Sequence, residues 1–510
     1  MLRIMMLLFC ATYLFGNDIE DIPILKWAGP PGSRPGTYEE WLAEHPYTPF
    51  DYLLHGVHGS DGYLGNIAIL TDQTLAPYLA NEIQQLVLSL TAEGYTVFEY
   101  QTSGGTPETL RTFLQEIYDT NNIEGVLLIG NLPVAWFEVY DYGGSLAQFP
   151  MDLFYMDLDG TWLDTISTGN GKYDGHVGSI NLEIYVGRLL PTGIGLDTLV
   201  LRKYFTKDIR YREDLMNLQK RALVFVDDDW VPWAQQWADD VALLFPDTIN
   251  YWHPETTRAS LYRTRLDTSQ TWVSVFAHSA PSLHQFTYNS GAQYDYYYAN
   301  EYISQNPPTN FYNFFACSFC RYTQAGYGGG QAIFNEDYGI GAIGSTKSGS
   351  MLDFQFFYRP LGEGKTIGEA FRYWFDCIYD SVGMTLERVC WHYGMTLLGD
   401  PFLKPLGYGT QIVEGKKNII SGTTLSVSNP AAGHLNLNLY LNDMQQVDLV
   451  LYDCLGRSLN VLYSGELQAG THLLSKKLED MNGMTLPSGV YLLRAGIGDN
   501  NITRKIVKIE

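Results

Sequence analysis

Between residues 67 and 129 the chain alternates short apolar runs with amphipathic ones, and that alternation limits the folds open to it. Residues 67–70, 96–100 and 125–129 read as buried strands, and residues 77–93 and 107–119 carry helical periodicity. Strand, helix and strand in that order make βαβ units, which predict a largely parallel sheet covered by helices. After a polar, Gly-rich stretch over 151–181, the pattern resumes. A strand over 182–188 leads to a helix over about 196–212, a strand over 222–226 and a helix over 233–244. Further apolar runs end at His278, at Cys317 and at Ser345, and a helix over 367–379 and Leu398-Gly399-Asp400-Pro401 close the region. Two consecutive α/β subdomains are predicted, over residues 61–215 and 216–408. From about residue 410 the helical signal stops. Short alternating segments at 435–441, 447–452 and 490–495, separated by Gly, Pro and Asn turns, predict a small all-β, immunoglobulin-like sandwich over 409–510.

The 510-residue length suits two or three packed units. With 45% hydrophobic and 17% charged residues, disorder is expected only at the ends. The net charge of -24 argues against a nucleic-acid partner, because phosphate binding needs clustered Lys and Arg. Residues 1–17, with Arg3 ahead of an apolar run, have the length and polarity of a secretory signal peptide and are too short for an anchor. Phe9, large and just ahead of Cys10, argues against lipidation there. Residues 18–60 form an N-terminal extension. The mature chain is therefore expected outside the cell, secreted or at its surface, with no membrane span. Cys317, Cys320, Cys377, Cys390 and Cys454 then remain, an odd number, so at least one thiol stays unpaired.

A strand ending in Ala277-His278-Ser279 and another ending in Phe315-Ala316-Cys317 place an imidazole and a thiol at carboxyl strand ends. Function concentrates at that edge of such sheets, and an imidazole beside a thiol can take its proton or hold its thiolate. His284 is a fallback base or simply a loop histidine. Cys317-Ser318-Phe319-Cys320 has redox spacing, but the Gly-rich continuation is a poor helix, and a zinc site lacks a second Cys pair. Asp157, Asp159, Asp164 and Asp174, interleaved with glycines, read as a structural calcium loop or as solvated turns. Asp227-Asp228-Asp229 could do the same, or face a basic substrate group.

The His and Ala-Cys strand ends, residues 183–188, residues 152–160 and Leu398-Gly399-Asp400-Pro401 together resemble the gingipain-type cysteine peptidases, of the clan with the caspase-like fold. The resemblance covers roughly residues 60–405. It implies a secreted endopeptidase with Cys317 as nucleophile, His278 as general base and Glu183 orienting the imidazole, Glu183 otherwise being one half of a surface ion pair. Protein or peptide substrates follow, and no organic cofactor. In that family glycine follows the histidine and its N–H helps hold the oxyanion. Here Ser279 stands in its place, leaving the backbone N–H groups of Ser279 and Cys317 as the donors. The alternative from another class is an inactive surface or binding protein on the same fold, using the Tyr-rich stretch 294–298. Residues 486–494 and the Lys-bearing tail 502–509 resemble the type IX secretion sorting domains and the related FlgD-like fold, implying the export machinery as a partner.

Overall fold

The computed structural model describes residues 19–59, 64–142, 144–289, 291–408, 424–427, 431–453, 457–481, 483–498 and 500–509. The predicted signal peptide and Cys454 lie outside them. The described chain divides into two compact units, the first ending at Gly407.

In the first unit the strands are β1 (Asp51–His58), β2 (Gly65–Asp72), β3 (Tyr95–Ser103), β4 (Ile123–Ile129), β5 (Tyr185–Leu189), β6 (Ala222–Val226) and β7 (Thr248–Tyr251). They continue with β8 (Trp272–Ala280), β9 (Leu283–Tyr288), β10 (Gln293–Tyr298), β11 (Phe311–Ala316), β12 (Gly341–Ser345) and β13 (Met395–Gly399). All thirteen belong to one sheet, in the order β1-β3-β2-β4-β5-β13-β12-β11-β8-β6-β7, with β9 on β8 and β10 on β9. The two α/β halves therefore share a single sheet. Apart from β1, antiparallel to β3, and the antiparallel additions β9 and β10, the neighbours within each half run parallel, and the halves meet at the antiparallel pair of β12 and β13. The amino ends of β5 and β4 thus lie along the same sheet edge as the carboxyl ends of β8 and β11. The Tyr-rich stretch 294–298 is strand β10, hydrogen-bonded to β9.

Strands β8 and β11 are buried at every position, as their mainly apolar content, interrupted inside the runs by Ser274 and Asn313, suits a strand covered on both faces. Helices pack on the sheet: α1 (Ala76–Glu93), α2 (Pro107–Asn121), α3 (Asp197–Arg212), α4 (Val231–Ala242) and α5 (Ile367–Val382). Thr106 and Thr366 start α2 and α5 with reciprocal capping boxes, each satisfying two otherwise orphaned N–H groups.

A buried ion pair of the first half also anchors residues of the second. Arg188 on β5 is fully buried and donates through Nε and Nη2 to Asp152, at 3.0 and 2.7 Å, while Tyr322 and Thr396 donate to the same carboxylate. The charge of Asp152 raises the affinity of Arg188 for its proton against the opposing effect of burial. Removing one partner leaves a buried charge uncompensated, so Asp152→Ala is expected to destabilise the first unit by about 3–5 kcal/mol. Urea titration followed by tryptophan fluorescence measures the loss.

The second unit carries two small sheets. Thr424–Val427, His434–Leu441 and Gly470–Lys477 form one; Ala431–Ala432, Asn500–Ile509, Gly489–Ile497, Gln445–Asp453 and Ser458–Leu467 form the other. Leu435, Leu437, Leu439 and Leu441 alternate inward to face Leu449, Leu451 and Leu493 in one apolar core. This is the predicted all-β unit, consistent with an immunoglobulin-like sandwich. Among the described residues no helix is long and apolar enough to cross a membrane.

Candidate active site

Strands β8 and β11 pair in parallel with Ala277 opposite Ala316. His278 and Cys317 are therefore the next residues on neighbouring strands, at the carboxyl ends where the sequence placed them. Both are buried. Ser318 follows with φ of 56°, a left-handed turn that ends the strand at the nucleophile, and its N–H donates to Lys347 O at 2.9 Å.

The imidazole is held on both edges and one face. Its Nε2 lies 2.7 Å from Asp229 Oδ2, and the indole of Trp230 packs on the ring at a centroid distance of 4.7 Å. The hydrogen bond from His278, more than any other contact, holds the Asp229 carboxyl below the usual carboxylate range. A carboxylate on Nε2 fixes the tautomer with the proton there and leaves Nδ1 as the basic nitrogen. That Nδ1 accepts the backbone N–H of Lys26 at 3.0 Å. Residues 19–36 lie over the site: Leu25 O accepts from Ser348 Oγ at 2.7 Å, Ala28 N–H donates to Ser279 O at 3.0 Å, and Arg321 Nη2 donates to Gly36 O at 2.6 Å.

The partners of Cys317 Sγ are the hydroxyls of Ser348, at 3.5 Å, and Ser318, at 3.7 Å. Burial pushes the thiol up, while the two hydroxyls and the Lys347 ammonium pull the other way by favouring the thiolate. Lys347 is held in place by Cys390 O at 2.6 Å and Asp141 at 3.0 Å.

The acid on His278 is thus Asp229, whereas the sequence pointed to Glu183. Glu183 sits just ahead of β5, and three strands separate β5 from β8, so at about 4.8 Å per strand the two lie on the order of 19 Å apart across the sheet. Glu183 instead accepts the N–H of Leu158 at 2.7 Å and converges with Asp157 and Asp159, whose oxygens lie within 4.8 Å of one another. Burial, then these neighbouring carboxylates, raise its pKa above the usual range. Asp164 and Asp174 do not join this group. Asp164 accepts Gly169 N–H, and Asp174 accepts the N–H groups of Thr165 and Ile166, so both tie their own loop.

Of the acidic triplet, Asp227 is buried and holds β9 through Thr287 N–H at 2.9 Å. Asp228, half-buried beside Asp229, is raised to about 6, chiefly by burial. Only Asp229 turns to the imidazole, and its carboxylate also lies 3.7 Å from Lys26 Nζ. The triplet after a strand was the available signal for it. Ser348 carried none.

Ser279 lies in ordinary extended strand, so nothing in its backbone demands glycine. Its hydroxyl turns away from Cys317 to His284 Nδ1 at 2.8 Å. His284 is fully buried, stacks on Phe319 at 3.8 Å, and is lowered to about 3 by burial. It is a structural histidine. His392 is equally buried and also lowered to about 3. Each has a folded pKa below the ordinary 6.5, so the unfolded chain binds the extra proton and stability falls as pH drops from about 6.5 towards 3. By pH 4.5 the loss should be roughly 2–3 kcal/mol per imidazole, and His284→Gln should flatten that slope in denaturant titrations at stepped pH. Cys317, Cys320 and Cys390 are free thiols, and these three and Cys377 are buried. Burial raises the Cys320 thiol far above the ordinary range and disfavours its thiolate.

The family model described as peptidase family C25 matches residues 73–406, well over half of the chain. The chain belongs to peptidase family C25, the gingipain family. The match takes in His278, Cys317 and Asp229. The secretion system C-terminal sorting domain matches residues 428–510, so this family C25 member is an exported protein, secreted or at the cell surface. No curated protein matches it. Among solved structures, the complex of Porphyromonas gingivalis RgpB pro- and mature domains is similar in fold. It has a TM-score of 0.50 and 12% identity, over 87% of this chain and 100% of that one. Dimeric latent PorU from Porphyromonas gingivalis matches 17% of this chain and 9% of its own, at 16% identity and a TM-score of 0.15.

Proposed function

We propose that this family C25 peptidase is a cysteine endopeptidase using Cys317, His278 and Asp229. The observation that carries the reading is the Asp229–His278 pair, which presents Nδ1 as the base on the strand next to Cys317. The thiol gives its proton to Nδ1 and the thiolate attacks a peptide carbonyl. The developing oxyanion is assigned to the backbone N–H groups of Cys317 and Ser279. The imidazolium, stabilised by Asp229, then protonates the leaving amine, and water, deprotonated by His278, hydrolyses the thioester. No organic cofactor enters. The substrates are proteins or peptides, and the C-terminal unit addresses the chain to the export machinery.

A mixed peptide library under reducing conditions tests this. Cleavage is expected, together with selective labelling of Cys317 over Cys320 by a thiol-directed probe. The second reading, an inactive binding protein on the peptidase fold, draws on the Lys26 N–H that occupies Nδ1. Its signature is absence of both cleavage and selective labelling after the N-terminal segment is displaced.

A structural calcium belongs to the same proposal, now at Asp157, Asp159 and Glu183 without Asp164 and Asp174. Asp157 already accepts from His176 at 2.7 Å and from Gly160 N–H at 2.6 Å, which leaves Asp159 and Glu183 to supply most of the charge. Millimolar calcium is expected to raise the melting temperature by a few degrees through linkage, and Glu183→Gln to remove the increment. An unchanged melt with calcium and with chelator removes the metal from the account.

A further inference from the structure

Residues 23–28 run through the catalytic centre as a bound peptide would. Trp230 Nε1 donates to Pro23 O at 2.8 Å, and Trp27 bridges Ser279 in parallel. Between these contacts a single peptide bond meets the catalytic groups. The carbonyl oxygen of Leu25 accepts from Ser348 Oγ at 2.7 Å, and that hydroxyl is 3.5 Å from Cys317 Sγ. The nitrogen on the other side of the same bond, that of Lys26, donates to His278 Nδ1 at 3.0 Å.

Those contacts seat this amide where a scissile bond would lie, with its N–H donating to the neutral Nδ1. Negative charge develops on its oxygen, which needs a donor beside the nucleophile, and its nitrogen leaves as an amine, which needs the proton carried by the imidazolium. The side chains on either side differ. Leu25, on the acyl side, is 1% exposed, whereas the Lys26 side chain, on the leaving side, is 75% exposed and extends towards Asp229.

Resting on the peptidase reading above, we propose that the enzyme cleaves after a large aliphatic residue, that Leu25–Lys26 of its own chain occupies the scissile position, and that Ser348 donates to the oxyanion. A basic side chain is then accommodated on the leaving side, next to Asp229. Cleavage after Lys26 would instead require the nitrogen of Trp27 at the base, and it is the nitrogen of Lys26 that is there. Seated in this way, the segment also shields the thiol from other peptides until it is cut or displaced. In the cut, Cys317 Sγ bonds to the Leu25 carbonyl carbon, the carbon–nitrogen bond to Lys26 breaks, and Lys26 departs as an amine carrying the His278 proton. Water then replaces the sulfur.

The test uses the full chain, as wild type, as Cys317→Ala, and as Leu25→Asp, in which a carboxylate in a buried site expels the segment. Each is incubated under reducing conditions with the synthetic peptide spanning Ile19–Gly32, in its native form and with Leu25→Lys or Lys26→Ala. New termini are read by mass spectrometry. Cleavage between Leu25 and Lys26 is expected, faster with the Leu25→Asp chain and absent with Cys317→Ala. Leu25→Lys in the peptide should cost about 100-fold or more in kcat/KM and Lys26→Ala less than about 10-fold. Cleavage after Lys26, or indifference to Leu25→Lys, overturns this inference and leaves a peptidase of other specificity. Failure of every chain to cleave the Ile19–Gly32 peptide or a mixed library overturns the peptidase reading, and this inference with it. Within the same assay Ser348→Ala, introduced into the Leu25→Asp chain, should lower kcat about 10- to 1000-fold with KM nearly unchanged, and Ser348→Thr should restore part of it. Unchanged kcat in Ser348→Ala, with a wild-type thermal melt, removes the hydroxyl from the oxyanion site.

Discussion

Cys317→Ala is expected to lower peptide cleavage by about 10⁴-fold or more while leaving the fold intact. The mechanism has no second nucleophile to fall back on. Ser318 and Ser348 both place hydroxyls near the sulfur, Ser348 donating its own to Leu25 O, and neither has the acidity of a thiol. Cys320, three residues on, is buried with its thiol pushed well up, so it supplies no thiolate at neutral pH. The cost to stability should be on the order of 1 kcal/mol, since one sulfur is removed from a site with polar neighbours. The comparison is kcat/KM on a cleaved peptide for both proteins, with thermal melts alongside. Cleavage within a factor of ten of wild type would remove Cys317 from the mechanism.

The second large effect is expected at Asp229. Asp229→Asn should reduce kcat by about 10²- to 10⁴-fold with a small change in KM. The carboxylate accepts the Nε2 proton of His278 and stabilises the imidazolium formed when the thiol ionises. An amide can turn its NH₂ to Nε2, which places the ring proton on Nδ1, where it can no longer take one from Cys317. The charge that stabilised the imidazolium is lost as well. Glu183→Gln is the matched control, because its carboxylate binds Leu158 N–H and the Asp157–Asp159 group and should leave kcat near wild type. A pH–rate profile separates catalysis from folding: Asp229→Asn should move the acid limb of kcat/KM, and Glu183→Gln should not. The reverse pattern would return the orienting role to Glu183.

Much of the architecture was legible because strands buried on both faces are written mainly in apolar residues, as β8 and β11 are. The residue closing each run stood out by contrast, which is why His278 and Cys317 could be named and their adjacency expected. The acid could not be assigned in the same way. Glu183 and Asp229 each border a strand, and choosing between them requires the strand order, a long-range property that local patterning does not encode. The reversal between halves at β12 and β13 was equally hidden, since either strand direction is compatible with the same apolar run.

Sequence alone determined that this chain builds α/β halves followed by a β-sandwich, that it is exported, and that a thiol and an imidazole end adjacent strands. The halves, the sandwich and the strand ends follow from periodicity and chain order, both local, and export from the resemblance of the C-terminal residues to sorting domains. Only the tertiary structure decided that Asp229 holds the imidazole, that Glu183 faces a separate acidic group, and that Leu25–Lys26 lies between Ser348 and His278. Those are pairings between segments tens to hundreds of residues apart, made when the sheet closes and the N-terminal segment buries Leu25 against it.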